Sequence, residues 1–280
     1  MLLRKCATLL SQQNFSTSTV RSTLVTCEDI ERIRLIGINR PEKKNCVNAE
    51  TADQLLSAFE EFDADPAVDV AVLFGHGGTL CAGYDLEEAS KTDATLLEKF
   101  RKRRPMAIIR YNYAKHFSVI KGPTGMLTSK PTVAAVQGYA VAGGLELALW
   151  CDLRVMEQTA VMGVFCRRFG VPLLDGGTVR LPQLIGFSRA MELILTGRPV
   201  DGKEAFQIGL SNRLVSCGTG LGQALHLANQ IKKFPQKCLR ADRRSAYYAA
   251  FEATSTQDAL DYERDKGMDV IFKESVEGAF

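Results

Sequence analysis

Hydrophobic and polar positions alternate along residues 30–38 and then recur at helical spacing, which predicts a strand followed by a helix. The segment IERIRLIGINRP alternates and stops at Pro41, as a half-buried strand does. The next segment, NAETADQLLSAFEEFDAD, carries Leu55, Leu56, Phe59 and Phe62 at helical spacing, so one face of this helix is apolar. After it, VDVAVLFGHGG predicts a short buried strand that ends in glycines.

The middle of the chain repeats this alternation of strands and helices. A polar helical region containing EKFRKRRP precedes TVAAVQGYA, which is apolar and β-branched enough to form a buried strand. Gly143 and Gly144 mark the point where the backbone opens into a helix, and LRVM predicts a further strand. Strands that alternate with helices predict an α/β fold with largely parallel strand pairing.

Beyond Ser216 the pattern changes to helices alone. Three helical segments follow one another, GLGQALHLANQIKKF, CLRADRRSAYYAAF and TQDALDYERDKGMDVIF. Their apolar side chains are too numerous for an isolated tail to leave in water, and they include Leu225, Leu227, Ile231, Tyr262, Met268 and Ile271. We therefore divide the chain into a core over residues 24–215 and a helical oligomerisation region over residues 216–280.

Composition and charge narrow the function classes. The 280 residues are 46% hydrophobic and 24% charged with a net charge of +3, which is typical of a globular chain and gives no general argument for nucleic-acid binding. Arg101 to Arg104 form a local basic cluster that we interpret as a solvated face. Eight cysteines lack a CxxC pair or metal-ligand spacing, and the histidines are isolated, so the sequence predicts neither a metal site nor a disulfide framework.

The N-terminus has the composition of a targeting segment. The first 27 residues carry Arg4, Lys5 and Arg21, nine serines or threonines, and no acidic residue. This composition is typical of a mitochondrial transit peptide, so we exclude residues 1–23 from the fold; a simple disordered terminus is the alternative. No segment approaches the roughly 20 apolar residues that a membrane-spanning helix needs.

One carboxylate stands within the apolar stretch VQGYAVAGGLELALWCD. Glu146 follows Gly143 by three residues and is flanked by Leu145 and Leu147. A half-exposed surface acid is the simpler interpretation, but no face of this helix is plainly polar, and a buried, unpaired glutamate is costly. The free N–H groups at the start of such a helix suit an oxygen that gains negative charge. The strand, glycine turn, helix and acid together indicate a candidate active site.

Four motifs, in this order, resemble the crotonase, or enoyl-CoA hydratase/isomerase, superfamily. They are INRPEKKNCVN, LCAGYDL, VAAVQGYAVAGGLELALWCD and GGTVRLPQLIGFSRAMELILTGRPVDGKEAFQIGL. The resemblance runs from about Leu24 to the C-terminus. It implies a crotonase-like spiral of ββα turns with a C-terminal helical trimerisation region. It also implies action on acyl-CoA thioesters in mitochondrial or related metabolism, with a homotrimer or dimer of trimers as the assembly.

The resemblance assigns roles to particular residues. By motif position, the backbone N–H groups of Tyr84 and Gly143 would stabilise a thioester enolate, and only the amide of Tyr84, not its side chain, would be used. Glu146 would be the acid/base. Coenzyme A would be part of the substrate, with no separate cofactor and no metal. The residues expected to contact the substrate or its CoA are Lys43, Lys44, Asn45, Cys81, Ala82, Asp85, Leu86 and Cys166.

The sequence departs from the family pattern at the second catalytic position. Hydratases usually carry a second glutamate in a pattern like F-G-x-P-E, whereas Cys166 stands there in this chain. Asp175 could replace the missing acid or could cap the following turn. Arg167 and Arg168 could bind an anionic acyl group or pair with Asp175. The chain also ends at ESVEGAF, where relatives usually continue with a basic tail.

We therefore expect an enoyl-CoA hydratase-type lyase in the mitochondrial matrix, with an isomerase or decarboxylase that uses one carboxylate as the alternative.

Two rivals come from other classes. A serine hydrolase would use Ser188 as its nucleophile, but the segment before it is broken by proline and Ala190 stands where the elbow needs glycine. A noncatalytic or RNA-binding paralogue would use Arg101 to Arg104, although the intact Glu146 motif argues against loss of chemistry.

Overall fold

The computed structural model describes residues 23–90 and 123–271. The predicted transit peptide, the cluster Arg101 to Arg104 with its polar helical region, and the C-terminal ESVEGAF lie outside the described residues. The main sheet has six strands in the order β1-β2-β3-β4-β6-β9. Its strands are β1 Val25–Ile30, β2 Ile33–Ile38, β3 Val70–Gly75, β4 Thr132–Val136, β6 Leu153–Glu157 and β9 Arg213–Val215.

The predicted parallel pairing is confirmed for most of this sheet. Strands β2, β3, β4, β6 and β9 pair in parallel, and β1 pairs with β2 in the antiparallel direction. The single strand predicted over residues 30–41 is therefore wrong at its start. Glu31, at φ 55°, occupies the turn of a hairpin, and the polar segment before it forms the edge strand β1.

A second, three-stranded sheet has the order β5-β7-β8. Its strands are β5 Tyr139–Val141, β7 Val161–Gly163 and β8 Val200–Asp201. The segment TVAAVQGYA, predicted as one strand, is split between the two sheets because the chain turns at Gly138, whose φ is 53°. A Cβ atom at that position would lie 2.5 Å from the Gly78 carbonyl oxygen, so the turn requires glycine.

Helices cover both faces of the main sheet. They are α1 Ala49–Ala64, α2 Leu86–Ser90, α3 Gly143–Trp150, α4 Gly177–Ile185, α5 Phe187–Thr196, α6 Gly202–Gln207, α7 Gly220–Ile231, α8 Gln236–Phe251 and α9 Thr256–Val270. The predicted helical face of α1 is confirmed, since Leu55, Phe59 and Phe62 are fully buried. The Asn48 side chain accepts a hydrogen bond from the Thr51 N–H and so begins the helix.

Alternate side chains of the strands enter two apolar layers. On one face Ile36 and Leu73 pack in the larger core with α1 and α3. On the other face Ile33 and Val72 pack with α7. This period of two follows from the strand geometry, and burial on both faces explains the nearly continuous apolar sequence of β3 and β4. The larger layer holds the start of α3 in place.

The boundary predicted at residue 216 needs a correction, because α7 belongs to the core. Leu227 is buried against the sheet, and Leu225 and Ile231 pack on the same cluster. An amphipathic helix has the same pattern whether it covers its own sheet or a partner subunit. By contrast, α8 and α9 pack on each other, with the rings of Tyr248 and Tyr262 stacked at 3.9 Å.

The Asp152 carboxylate is one of the groups that tie helix α8 to the core. Asp152 accepts hydrogen bonds from Arg243 Nε and the Tyr247 hydroxyl at 2.9 Å each, and from the Thr132 N–H at 2.7 Å. Arg243 and Tyr247 belong to α8, whereas Thr132 begins β4. This junction places the C-terminal helices beside the strand that leads to the candidate site.

Candidate active site

Helix α3 begins at a strained turn directly after β5. Ala142, the residue before the helix, has φ 54° and ψ −124°, a conformation that residues with a side chain rarely adopt. A Cβ atom on Gly144 would lie 2.1 Å from the Cys81 carbonyl oxygen. Gly144, in the glycine pair that predicted the helix start, thus lets the backbone of α3 approach the backbone at Cys81 closely. This contact fixes the position of the Gly143 amide.

Two backbone amides stand next to each other at this turn. The Val47 N–H donates to the Gly83 carbonyl at 2.8 Å, and the Asp85 N–H donates to the Val47 carbonyl at 3.0 Å. Because successive amides of an extended strand point in opposite directions, the intervening Tyr84 N–H points away from Val47. A Cβ atom on Gly83 would lie 3.3 Å from the Gly143 nitrogen. Within residues 23–90 and 123–271, neither the Tyr84 nor the Gly143 N–H donates a hydrogen bond.

Glu146 is buried, as its apolar neighbours suggested, with 2% of its surface exposed. Its Oε1 atom accepts hydrogen bonds from the backbone N–H groups of Asp175 and Gly177, both at 2.8 Å. Gly177 is the first residue of α4, so the positive end of that helix faces the carboxylate. A Cβ atom at Gly177 would lie 3.0 Å from Oε1, so a side chain there would crowd the acid.

The pKa of Glu146 is raised because burial penalises the charged form. The backbone amides of Gly177, Asp175 and Leu174 oppose this shift, and so does the positive charge of Arg180. Arg180 also donates one hydrogen bond to the Asp175 carbonyl and one to the Thr124 carbonyl, at 2.9 Å each. The acid is therefore both desolvated and rigidly oriented, which is typical of an acid/base group.

The Tyr84 hydroxyl, as well as the amide to which the resemblance assigns a role, lies near the candidate acids. Its hydroxyl donates a hydrogen bond to Asp175 Oδ2 at 3.0 Å, and Asp175 has no exposed surface. Burial raises the pKa of Tyr84 well above its usual value, and the negative charges of Asp175 and Glu146 raise it further. The tyrosine thus remains a neutral hydroxyl beside two acids.

An apolar cavity of about 320 Å³ adjoins these residues. Four of the residues predicted to contact the substrate line it: Lys44, Ala82, Leu86 and Cys166. Its other lining residues are Tyr84, Tyr139, Val141, Ala142, Phe165, Phe169 and Val171. Its walls include Ala142, at the strained turn of α3, and also Tyr84 and Cys166, which feel the charge of Glu146.

Three predicted contact residues have interior side chains. Asn45 is fully buried; its amide donates to the His76 and Thr79 carbonyls and accepts from the Arg40 N–H. Cys81 is likewise fully buried. Asp85 pairs with Arg40 at 2.8 Å.

A fourth predicted contact residue, Lys43, pairs on the surface with Glu87 at 2.7 Å. Together with the interior side chains, it holds the loops around the Tyr84 amide rather than lining the cavity.

Cys166 and the neighbouring Arg167 and Arg168, where the sequence departs from the family pattern, make different contacts. Cys166 lines the cavity, and burial raises the pKa of its thiol, as does the charge of Glu146. The Arg168 guanidinium lies 3.8 Å from the centre of the Phe165 ring, and Arg167 Nε donates to the Ile194 carbonyl at 3.2 Å. Both arginines are thus engaged by local groups.

Gly83, Gly177 and Arg180 are site residues that sequence reasoning missed. Each acts by close approach or by a hydrogen bond to a backbone carbonyl, and these contacts join distant parts of the chain. The segment LLDGGTVRL was the available signal, because it places a glycine pair and an arginine directly after Asp175. Glycine pairs before a helix commonly mark a backbone that approaches another group closely.

The serine hydrolase assignment finds no support in the described geometry. Ser188 is the second residue of α5, and helix α4 precedes it where a nucleophile elbow needs a strand. Across residues 23–90 and 123–271, no three His, Cys, Asp or Glu side chains cluster as metal ligands would. Over the same residues, no helix is both long and apolar enough to cross a membrane.

Comparison with known proteins agrees with this geometry. Residues 28–278 match the family model described as enoyl-CoA hydratase/isomerase. The probable enoyl-CoA hydratase echA8 of Mycobacterium bovis is 32% identical over 243 residues, which cover 86% of each chain. The probable enoyl-CoA hydratase 2, mitochondrial, of Arabidopsis thaliana is 32% identical over 234 residues, covering 79% of this chain and 73% of the relative.

The crystal structure of an enoyl-CoA hydratase from Mycobacterium tuberculosis H37Rv has the same fold. It superposes with a TM-score of 0.78 at 32% identity and covers 91% of this chain and 93% of its own. The crotonase-like fold and the acyl-CoA-processing, hydratase-type function expected from the motifs are thereby confirmed. By its sequence, its fold and its relatives, the chain belongs to the enoyl-CoA hydratase/isomerase family of enzymes.

Proposed function

We propose that this enzyme binds an acyl-CoA thioester with its carbonyl oxygen between the N–H groups of Tyr84 and Gly143, and that Glu146 moves the proton at Cα. The observation that carries this proposal is the burial of Glu146 with its Oε1 atom fixed by two amides at 2.8 Å. A desolvated carboxylate held in one orientation, one turn from two adjacent amide donors, suits enolate chemistry.

The proposed steps conserve protons and electron pairs. When Glu146 takes a proton from Cα, the electron pair of the C–H bond moves into the thioester and places negative charge on its oxygen. The two amides stabilise that charge, and removal of one such donor costs about 3 to 4 kcal/mol. In the direction of hydration, the water oxygen bonds to Cβ as one of its protons passes to the Glu146 carboxylate, and protonated Glu146 then delivers a proton to Cα, so the enoyl double bond is consumed and the carboxylate is restored.

Hydration is the first candidate reaction, and isomerisation is the second. The second candidate is favoured by one observation, the thiol of Cys166 at the usual second-glutamate position. Its raised pKa keeps it protonated, so it is a poor base for water. Asp175 is fully buried and accepts a hydrogen bond from the Tyr84 hydroxyl. A single carboxylate can move one proton between Cα and another carbon of the acyl chain without adding water.

Substrate, assembly and location complete the proposal. The CoA arm would run along Lys44, Ala82 and Leu86, which line the cavity, and the protein would need no cofactor apart from this CoA. An oligomer, a homotrimer or dimer of trimers, would cover apolar side chains such as Met268 and Ile271, each 49% exposed. Transit-peptide composition and the mitochondrial relative from Arabidopsis support location in the mitochondrial matrix.

Glu146→Gln tests the proposed function, with Glu157→Gln as a matched control. Glu157 is equally buried but accepts hydrogen bonds from Gln137 and the Gly220 N–H, away from the cavity. We expect Glu146→Gln to lower turnover by roughly 10² to 10⁴ with acyl-CoA affinity nearly unchanged. A panel of acyl-CoAs analysed by mass spectrometry separates gain of water from isomerisation and loss of carbon dioxide. Full turnover in Glu146→Gln would end the assignment.

A further inference from the structure

Tyr84 lies between the cavity and a buried acid. Tyr84 lines the cavity, whereas Asp175, which accepts its hydrogen at 3.0 Å, is fully buried and does not. The same residue supplies a proposed oxyanion amide through its backbone. One residue thus carries both a proposed oxyanion amide and a phenol side chain that lines the cavity.

The direction of this hydrogen bond determines what Tyr84 can recognise. Since its hydrogen is committed to the Asp175 carboxylate, the phenolic oxygen presents its lone pairs as an acceptor. A hydroxyl that donates to a carboxylate is itself polarised into a better acceptor. Apolar side chains provide most of the cavity wall, including Val141, Ala142 and Val171. An O–H group of a bound molecule thus finds a matched acceptor in otherwise apolar surroundings.

We propose that the Tyr84–Asp175 pair is a specificity determinant that recognises a hydroxyl group at carbon 3 of the acyl chain. Tyr84 contacts the hydroxyl, and Asp175 is a positioning residue that orients Tyr84. Carbon 3 is the carbon that hydration modifies, and its hydroxyl oxygen is the oxygen of the added water. The pair therefore serves hydroxyacyl-CoA binding and, in the opposite direction, water placement.

This inference rests on the proposed function, because it uses the thioester position between the two amides. Pocket shape alone would not require Tyr84: phenylalanine would fill the same volume and keep the same backbone amide. The hydroxyl adds polarity without adding charge, since burial and the nearby acids keep the phenol neutral. What distinguishes tyrosine from phenylalanine here is one hydrogen-bond acceptor.

Binding of butyryl-CoA and of each enantiomer of 3-hydroxybutyryl-CoA tests the proposal. The titrations use the full chain in the Glu146→Gln background, which slows conversion of the ligand, and mass spectrometry identifies the ligand recovered. The measured quantity is the ratio of the dissociation constants of butyryl-CoA and the better-bound 3-hydroxy ligand. We expect Tyr84→Phe to lower this ratio by about 3- to 10-fold, the worth of one hydrogen bond.

Two further variants separate recognition from packing. Tyr139→Phe is the matched control, because Tyr139 lines the same cavity beneath Lys44 and its ring centre lies 5.2 Å from Lys44 Nζ; it should keep the ratio. Asp175→Asn should also lower the ratio, because it removes the negative charge that holds the Tyr84 hydrogen and lets an amide donate to Tyr84 instead. A ratio within twofold of the parent in Tyr84→Phe, or an equal loss in Tyr139→Phe, would overturn the inference.

The proposed function fails separately, through full turnover in Glu146→Gln, which is measured without reference to Tyr84. If turnover depends on Glu146 but the preference for the 3-hydroxy ligand does not depend on Tyr84, the proposed function stands and the proposed role of the Tyr84–Asp175 pair is wrong. Loss of preference together with normal butyryl-CoA binding supports the pair, since a general distortion of the site would weaken both ligands.

Discussion

Gly144→Ala perturbs the contact that positions the proposed oxyanion site. The added Cβ atom would lie 2.1 Å from the Cys81 carbonyl oxygen and 2.7 Å from its carbon. To reach an ordinary contact of about 3.4 Å, the two backbones must separate by about 1.3 Å. The hydrogen bond from the Val141 N–H to this same carbonyl, 3.1 Å long, opposes that separation.

The structure sets the size of the expected effects. Overpacking costs about 1 to 3 kcal/mol, and loss of the Val141 hydrogen bond adds about 1 kcal/mol. We therefore expect the free energy of unfolding to fall by about 2 to 4 kcal/mol. The Gly143 amide follows Val141 closely in the chain, and a 1 Å displacement of a positioned group can cost about 10²-fold in rate. We expect a loss of this order in turnover.

Urea denaturation measures the change in stability, and steady-state kinetics with an acyl-CoA substrate measure the loss of turnover. Gly222→Ala is the matched control, because nothing lies within 4 Å of a Cβ atom there and the residue is also helical. That variant should gain up to about 1 kcal/mol from helix propensity and keep full activity. A Gly144→Ala protein with the stability and turnover of the parent would refute the close contact and its role.

Three further predictions concern Glu146, the α8 junction and Cys166. Because burial raises its pKa, the contribution of Glu146 to stability is complete below its unfolded pKa of about 4.3 and is lost as the pH rises through its folded pKa; urea titrations should show the parent losing stability relative to Glu146→Gln as the pH rises above about 4. Asp152→Ala should lower the free energy of unfolding by about 3 kcal/mol and speed amide exchange in α8; unchanged exchange would remove its anchoring role. Iodoacetamide at pH 8 should alkylate buried Cys166 at least tenfold more slowly than exposed Cys217, and equal rates would contradict the raised thiol pKa.

The sequence predicted the parts of the fold whose burial follows a regular period. Helix α1 and strands β3 and β4 have clear apolar patterns, and the structure confirms them. Strand β1 was missed because it is an edge strand, exposed along most of its length, and its residues Thr26 to Asp29 are largely polar. The hairpin that follows turns at Glu31, and no glycine marks that turn.

In the candidate site too, the sequence predicted the features that depend on neighbouring residues and missed those that depend on contacts between distant residues. The motif around Glu146 predicted its burial and the helix start at Gly143, because both depend on neighbouring residues. The hydroxyl of Tyr84 contacts Asp175 across 91 positions of sequence, and no local pattern encodes such a contact. The side chain of Asn45, which was predicted as a ligand contact, donates hydrogen bonds to the His76 and Thr79 carbonyls, and no local pattern encodes that pairing.

Deuterium incorporation at Cα of a saturated acyl-CoA in D₂O tests the central claim most directly, that Glu146 moves the α-proton of a thioester held by the Tyr84 and Gly143 amides. This exchange needs only enolate formation, so neither water addition nor the identity of the product affects it. We expect the parent enzyme to incorporate deuterium and Glu146→Gln to do so at least about 100-fold more slowly, with unchanged acyl-CoA affinity. Exchange at the parent rate in Glu146→Gln would contradict the account.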